Sequence, residues 1–232
     1  MNSTGERILE SLRQVAAERA SRASEPVLAD RVSVVKAFQH ARFARGYADL
    51  LADKRYSAAA RFFLEDLYGP ADFSDRDAQF MRIVPALVRL FPHEIVETVD
   101  DLASLHALSE KLDSAMARVS WSGELDADQY ARAWREVGQP AARERQIALM
   151  VAVGSALDRY TRSLLLRQSL RVMRRPAQAA GLGALQQFLE RGFDTFRAMR
   201  GAEAFLELIS VRERSLAAAL FAGSAGSVLL SR

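Results

Sequence analysis

Apolar residues recur at the spacing of an α-helix along almost the whole chain, and this pattern constrains the fold more than any other feature. The clearest stripe follows the spacing i, i+3, i+4, i+7, i+8 and i+11 and consists of Phe80, Ile83, Val84, Leu87, Val88 and Phe91. No alternating segment bounded by hairpin turns competes with this pattern. No repeat with a period of about 20 to 50 residues is evident, which disfavours stacked helical repeats. We therefore predict an all-α fold.

Capping and turn signals divide the pattern into about eight to ten helices of a single compact multi-helix domain. We predict helices over residues 3–22, 30–52, 74–91, 92–118, 127–137 and 141–174, the last with a possible break near Gly154 or Ser163. A break at residues 176–183 precedes two final helices that end near Phe221. We further predict a loosely attached N-terminal helix in residues 1–25, the helical domain in residues 26–222, and a flexible tail in residues 223–232.

The composition excludes several classes of site. Half of the 232 residues are hydrophobic and none is cysteine, so disulfides, thiolate metal sites and cysteine nucleophiles are all excluded. The first residues lack the basic region and apolar core of a secretory signal. The longest apolar run, residues 147–157, has about 11 residues, whereas a bilayer crossing takes roughly 20. We expect a cytoplasmic protein without a membrane segment.

The charge of the chain is modest but comes mainly from arginine. The net charge is +3 and the pI is near 9.5, with lysine only at Lys36, Lys54 and Lys111. An excess of arginine can indicate phosphate recognition through bidentate donors. In a chain rich in Ala, Leu and Gly it more often reflects a GC-rich genome, which is the interpretation we favour.

A corner between two helices concentrates charged side chains. Gly69 and Pro70 end one helix, and Ser74 followed by Asp77 begins the next, so residues 68–74 should form a tight corner. Acidic and basic residues alternate there, which favours an ion-pair network that fixes the turn over a metal or cationic-ligand site. The candidate binding residues of this corner are Arg61, Tyr68, Asp72, Asp75, Arg76, Asp77 and Arg82.

The runs RFFLEDLYGP (residues 61–70) and DFSDRD (residues 72–77) resemble the signature of an uncharacterised, all-helical family of proteobacterial proteins. Further similar stretches are LFPHEIVETV at 90–99, LHALSE at 105–110 and GFDTFRAM at 192–199. The resemblance covers about residues 30–222. It implies a helical fold and carries no catalytic residue across, because that family has no established activity.

The chain lacks the motifs of familiar catalytic and metal sites. It has no Glu-x-x-His pair of the kind that holds two metals in helical bundles, no Gly-x-Ser-x-Gly nucleophile turn and no phosphate-binding loop. His93 with Glu97, and His106 with Glu110, share helix faces, but further ligands are not evident, so we predict hydrogen-bonding pairs and no metal. His106 is the best-placed axial ligand for a haem, yet we predict no cofactor and lean against an enzyme.

One predicted helix presents four arginines that can share a face: Arg167, Arg171, Arg174 and Arg175. They are candidates for anion binding, but no helix-turn-helix signature accompanies them, so nucleic acid is disfavoured. Three functions remain open. We favour a non-enzymatic protein that binds an unknown protein partner or itself. The second is a small-molecule or cofactor pocket between helices, lined by aromatic residues such as Phe62, Phe63, Tyr68, Phe188 and Phe193, and the third is phosphate or nucleic-acid binding through the arginines.

Overall fold

A long helix, His93–Arg118, lies at the centre of the fold; we number it α6 in chain order. Three helices pack on it: α1 (Ser3–Ala23), α2 (Pro26–Gly46) and α8 (Pro140–Thr161). The computed structural model describes residues 3–67, 73–119, 121 and 123–223. The arrangement is a helical bundle in which α6 is enclosed on several sides.

The other helices complete the bundle around these four. They are α3 (Ala48–Ala52), α4 (Ser57–Phe62), α5 (Ser74–Leu90), α7 (Ala127–Val137), α9 (Leu164–Ala179), α10 (Gly183–Ala198) and α11 (Glu203–Ala222), and a π-helical turn, Phe63–Leu67, continues α4. No strand occurs in the described ranges, so the prediction of an all-α, compact single domain is confirmed. None of the described helices combines the length and the apolar character needed to cross a bilayer.

Several predicted boundaries are correct and others are wrong for local reasons. The predicted break at Ser163 is confirmed, since this serine caps α9 through its side chain, whereas α8 runs through Gly154 without interruption. The predicted helix 30–52 starts earlier, because Pro26 can occupy its first turn, and it is interrupted at Tyr47. The predicted break at residues 176–183 is present but shorter, because only residues 180–182 separate α9 from α10. Helix α9 continues through Pro176 to Ala179, and Val172, whose carbonyl Pro176 has no N–H to bond, is exposed.

Helix α1 is an integral part of the bundle, in contrast to the loose attachment predicted for residues 1–25. Its Ile8, Leu12 and Val15 are buried, at 2% exposure or less. Ile8 and Leu12 join an apolar cluster with side chains of α5 and α6. The predicted loose attachment rests on the polar break that follows the helix. Such a break indicates where the helix ends, but it does not indicate whether the apolar face of the helix packs on the domain. Of the predicted tail, only Gly223 lies within the described residues, and it ends α11 in the left-handed conformation at φ 78°.

Close packing between α8 and α11 depends on a glycine. A Cβ atom at Gly154 would lie 2.5 Å from Cδ2 and 3.2 Å from Cδ1 of Leu206, and Leu206 is itself buried at 4% exposure. A side chain at position 154 would therefore force the two helices or the leucine apart.

We predict that Gly154→Ala lowers the free energy of unfolding by about 1–2 kcal/mol, because overpacking outweighs the gain in helix propensity. Denaturant melts measure this. Gly183→Ala is the matched control: no atom lies within 4 Å of its Cβ position, so it should be neutral or stabilise by about 0.4–1 kcal/mol. Equal stability of Gly154→Ala and the parent would show that Leu206 moves aside freely.

Candidate functional site

The structure does not gather the predicted corner residues into one site. Tyr68 and Asp72 lie outside the described residues, so their role stays a prediction. Arg61 and Asp75 are exposed. Arg82 donates instead to the carbonyl oxygen of Ala180, at 3.0 Å. Of the corner candidates that the structure describes, only Arg76 and Asp77 come together inside the protein.

Arg76 fastens the start of α5 to its surroundings. Its Nη1 donates to the carbonyl oxygen of Asp66, at 2.9 Å, in the π-helical turn. Its guanidinium carbon lies 4.1 Å from the ring centroid of Phe73 and 4.6 Å from that of Phe188, which belongs to α10. Helix α5 begins at Ser74 as predicted, although the N-cap position is occupied by Phe73 rather than by the serine. These contacts support the predicted structural role of the corner.

Asp77 joins three helices in the interior. It is 6% exposed, and its Oδ2 lies 2.8 Å from Nε2 of His106 on α6 and 2.9 Å from Nη2 of Arg19 on α1. Burial by itself would raise the pKa of this carboxyl. The hydrogen bond from His106 and the charges of His106, Arg76 and Arg19 outweigh that effect and lower the pKa. Asp77 is therefore a carboxylate at neutral pH.

A second buried carboxylate, Glu110, lies on α6, one helical turn after His106. Its side chain forms an ion pair with Arg22 of α1, and Nζ of Lys36 on α2 donates to Oε1 at 2.8 Å. Arg22 also donates to Oγ of Ser114 from Nε at 2.9 Å and from Nη2 at 2.8 Å. Burial opposes ionisation, yet Lys36 and Arg22 hold the pKa of Glu110 at about 2. These contacts bind α1 and α2 to α6.

The predicted pairing of His106 with Glu110 is wrong. Each residue has a different principal partner, and Arg19 connects them, with its Nη2 3.4 Å from Nε2 of His106 and 3.6 Å from Oε1 of Glu110. His106, the best-placed candidate for a haem ligand, thus has its Nε2 in contact with Asp77. The other predicted pair is present but exposed, with Nδ1 of His93 3.4 Å from Oε1 of Glu97.

Sequence reasoning missed the arginines of α1 that complete this network. Arg19 and Arg22 continue the stripe of Ile8, Leu12 and Val15 at helical spacing, on the face that contacts α5 and α6. A basic side chain that extends an apolar stripe must find an acidic partner when it is buried. That signal was available in the sequence, although the identity of the partner was not.

An apolar cavity of about 100 Å³ lies beside the Asp77–His106 pair. Helices α1, α5, α6 and α10 supply its walls. Its polar residues are Arg76, Asp77, His106 and Ser109. The apolar lining consists of Leu12, Phe80, Ile83, Leu87, Val99, Leu102, Ala103, Leu105, Leu185, Phe188 and Leu189. We call this space the first cavity.

The aromatic pocket predicted from the sequence is not what lines the first cavity. Of the predicted set, Phe62, Phe63 and Phe193 are buried core residues, at 3%, 1% and 6% exposure, and Tyr68 lies outside the described residues. Among the four members that the structure describes, only Phe188 contributes to the lining, and its ring stacks on that of Phe62 with centroids 5.5 Å apart. Aromatic residues concentrated in a sequence fill a core more readily than they line a pocket.

The four arginines of α9 have different environments. Arg174 forms a bidentate pair with Glu190 of α10, with 3.0 Å from Nε to Oε1 and 2.7 Å from Nη2 to Oε2. Arg171 and Arg175 are exposed and Arg167 is half-buried. Arg171 and Arg175 thus present positive charge to solvent, while Arg174 joins two helices.

The buried ion pairs of Glu110 generate a prediction about acid stability. The pKa of Glu110 lies at about 2, below the ordinary 4.5. At pH values above 4.5 the ionised carboxylate therefore contributes its full stabilisation to the fold, and this contribution is lost as the pH falls from 4.5 towards 2. Glu110→Gln leaves Arg22 and Lys36 without their carboxylate. We expect this variant to lower the free energy of unfolding at pH 7 by roughly 3–5 kcal/mol. The difference in free energy of unfolding between variant and parent should become smaller as the pH falls below the ordinary pKa of 4.5.

Denaturant melts across this pH range measure the effect. The control is Glu144→Gln, which removes the carboxylate partner of Arg214 from an exposed pair and should change stability little. If the difference in free energy of unfolding between Glu110→Gln and the parent stays constant with pH, the assignment of the buried charge to Glu110 is wrong.

Comparison with known proteins places the chain in a family over nearly its full length. The model of a family described as "Domain of unknown function (DUF8198)" matches residues 18–227, a range that includes Arg19, Asp77, His106 and Glu110. No curated protein and no solved structure matches the chain. The expectation of an uncharacterised family is thereby confirmed, over a range somewhat longer than the predicted residues 30–222. The protein belongs to the DUF8198 family, whose function is unknown.

Proposed function

We propose that the protein binds a small molecule with an apolar body and one hydrogen-bonding group in the first cavity. The observation that carries this proposal is an apolar cavity that adjoins the polar network of Arg76, Asp77 and His106. Ligand sites of proteins commonly combine mostly apolar walls with a few converging polar groups. This is the second of the three functions that the sequence left open.

The size of the first cavity limits the ligand to a single ring or a short chain. Its volume of about 100 Å³ is comparable with that of engineered apolar cavities of roughly 150 Å³, which bind benzene. It is well below the roughly 300–1,000 Å³ of pockets for drug-sized molecules. A bulky cofactor therefore fits this geometry poorly.

The polar groups of the first cavity favour a ligand that accepts a hydrogen bond. Oγ of Ser109 accepts from Nε2 of Gln146 at 2.8 Å, which leaves the hydroxyl proton of the serine for another acceptor. Asp77 is already engaged by His106 and Arg19, so it has little capacity to hold a cation. A hydroxyl or carbonyl group on the ligand satisfies these conditions.

Benzyl alcohol and toluene test the proposal, since both carry a single ring and only the first has a hydrogen-bonding group. We expect both to bind by titration calorimetry, with benzyl alcohol the tighter. Ala103→Leu adds a side chain where buried Ala103 lines the cavity and should abolish binding of both. Ala115→Leu adds the same group to α6 outside the cavity and should leave binding intact, and circular dichroism checks that both variants fold. Failure of both probes to bind the parent, or unchanged binding by Ala103→Leu, would refute the proposal.

A second candidate function, binding of a protein partner, is favoured by the outer face of α9. Leu164, Leu165 and Val172 are 70%, 72% and 74% exposed, and they share this helix with the exposed Arg171 and Arg175. Isolated exposed apolar residues need no explanation, but a group of them on one helix is typical of an interaction surface. The positive charge favours a partner with apolar and acidic side chains and disfavours pairing with a second copy of the same face.

An amphipathic helical peptide of leucine and glutamate tests this second function. We expect the parent to bind it with an affinity that falls as salt is added, and Arg171→Ala with Arg175→Ala to weaken binding. Sedimentation analysis of the protein alone should show a monomer. A dimer that Leu165→Glu dissociates would instead support self-association through α9.

Localisation and origin are proposed on sequence grounds. The absence of cysteine is compatible with a reducing cytoplasm, and the resemblance of residues 61–77 to a proteobacterial signature supports a bacterial source. Both fit a cytoplasmic binding protein of bacterial origin.

A further inference from the structure

A second cavity, of about 70 Å³, lies between α2, α6, α7, α8 and α11. It is separate from the first cavity, although Ser109 borders both. Its lining combines the aromatic side chains of Phe43, Tyr130 and Trp134 with several buried polar groups. The most unusual of these groups is the guanidinium of Arg143.

Arg143 carries a buried positive charge whose donors are incompletely paired. The residue is 3% exposed, and its guanidinium carbon lies 3.7 Å from the ring centroid of Trp134. Its Nη1 makes a long contact of 3.5 Å with Oε1 of Gln146. Its Nε and Nη2 are buried and have no hydrogen-bond partner in the described part of the chain. Buried charges in proteins are normally paired and hydrogen-bonded, so these two donors call for a ligand.

The nearby carboxyl groups are engaged elsewhere. Glu213 receives hydrogen bonds from Nη1 and Nη2 of Arg42, at 2.9 and 3.2 Å, and from the hydroxyl of Tyr47 at 2.8 Å. Asp113 accepts from Nε2 of Gln39 at 3.1 Å, and burial raises the pKa of its carboxyl. No ion pair joins either acid to Arg143 among the described residues.

The two unpaired donors form the edge of the guanidinium that suits a carboxylate. Nε–H and one Nη–H of an arginine point in parallel and match the two oxygens of a carboxylate group. The same edge binds a carboxylate at other arginines of this protein. Arg214 reaches Oε2 of Glu144 from Nε at 3.1 Å and Oε1 from Nη2 at 2.7 Å, and Arg174 reaches both oxygens of Glu190 in the same way. Arg143, whose edge is unpaired within the described residues, is a lining residue of the second cavity.

The remaining walls specify the size and charge of the ligand. Two further buried donors without a partner in the described residues, Nε of Arg42 and Nε1 of Trp134, belong to lining residues. The guanidinium groups of Arg42 and Arg143 both belong to the lining, and Glu213 is already held by Arg42 and Tyr47. A ligand with a negatively charged group therefore suits the unpaired donors of Arg143. Ile147 and Met150 add apolar surface, and the small volume leaves room for a short tail.

We propose that the second cavity binds a small monocarboxylate, with the carboxylate held by Nε and Nη2 of Arg143 and a short apolar tail against the aromatic and aliphatic wall. The site is built from different residues than the first cavity, Ser109 excepted, and does not depend on ligand binding there. It extends the protein from one binding site to two of different chemistry.

Propionate is the probe, and sodium chloride and inorganic phosphate at matched ionic strength are the controls. We expect propionate to raise the melting temperature of the full chain in a saturable way, and chloride and phosphate not to do so. Arg143→Lys keeps the charge but loses the bidentate edge, and it should weaken propionate binding at least about tenfold. Arg214→Lys, which alters an exposed arginine of the same edge geometry, should bind as the parent does.

Arg143→Met separates a ligand site from a structural role. If the arginine is kept for a ligand, removing its unpaired charge should abolish propionate binding while the melting temperature of the free protein stays equal or rises. A lower melting temperature for Arg143→Met without propionate binding to the parent would overturn the proposal. Equal binding of phosphate would overturn the carboxylate assignment, and undiminished binding by Arg143→Lys would place the propionate elsewhere.

Discussion

The negative charge of Glu110, buried where α1 and α2 meet α6, determines how these helices can pack. A carboxylate at 3% exposure is tolerated only when cations and hydrogen bonds replace the water it loses. Arg22 of α1 and Lys36 of α2 supply the cations. A buried ion pair adds less stability than well-packed apolar residues would, but it is specific, because other rotations of α1 or α2 would leave the charge unpaired. The central geometry of the bundle therefore follows from one side chain and its partners.

Helix α6 also supplies polar groups to both cavities. His106, Ser109 and Asp113 follow one another at spacings of three and four residues, so they share one side of the helix. His106 and Ser109 border the first cavity, and Ser109 and Asp113 border the second. The hydrogen bond from Gln146 of α8 to Ser109 lies where the two cavities adjoin. The face of α6 that binds α1 and α2 through Glu110 therefore also carries polar groups of both cavities.

The sequence was sufficient for the fold class and for much of the helix order, because apolar periodicity is a local signal. The start of α5 at Ser74, the full extent of α7 and the break at Ser163 are examples. The sites were harder to predict, because they depend on contacts between residues far apart in the chain. Asp77 was proposed as a site residue because of its charge, but its partner His106, 29 residues away, was not foreseen. Arg143 was not singled out, since one arginine in a helix carries no local sign that its donors are left unpaired.

Comparison of Glu110 with Arg143 shows why buried charge alone does not mark a functional site. Both groups are 3% exposed and both lie between helices of the central bundle. Glu110 has ion pairs from two helices, and its lowered pKa reflects them, so the protein itself completes its environment. Arg143 has an aromatic ring on one face and two donors that no described residue satisfies. A buried charged group whose hydrogen bonds and ion pairs all come from the protein has a structural role. A buried charged group that lines a cavity and keeps unpaired donors is better explained by a ligand that the cavity can receive.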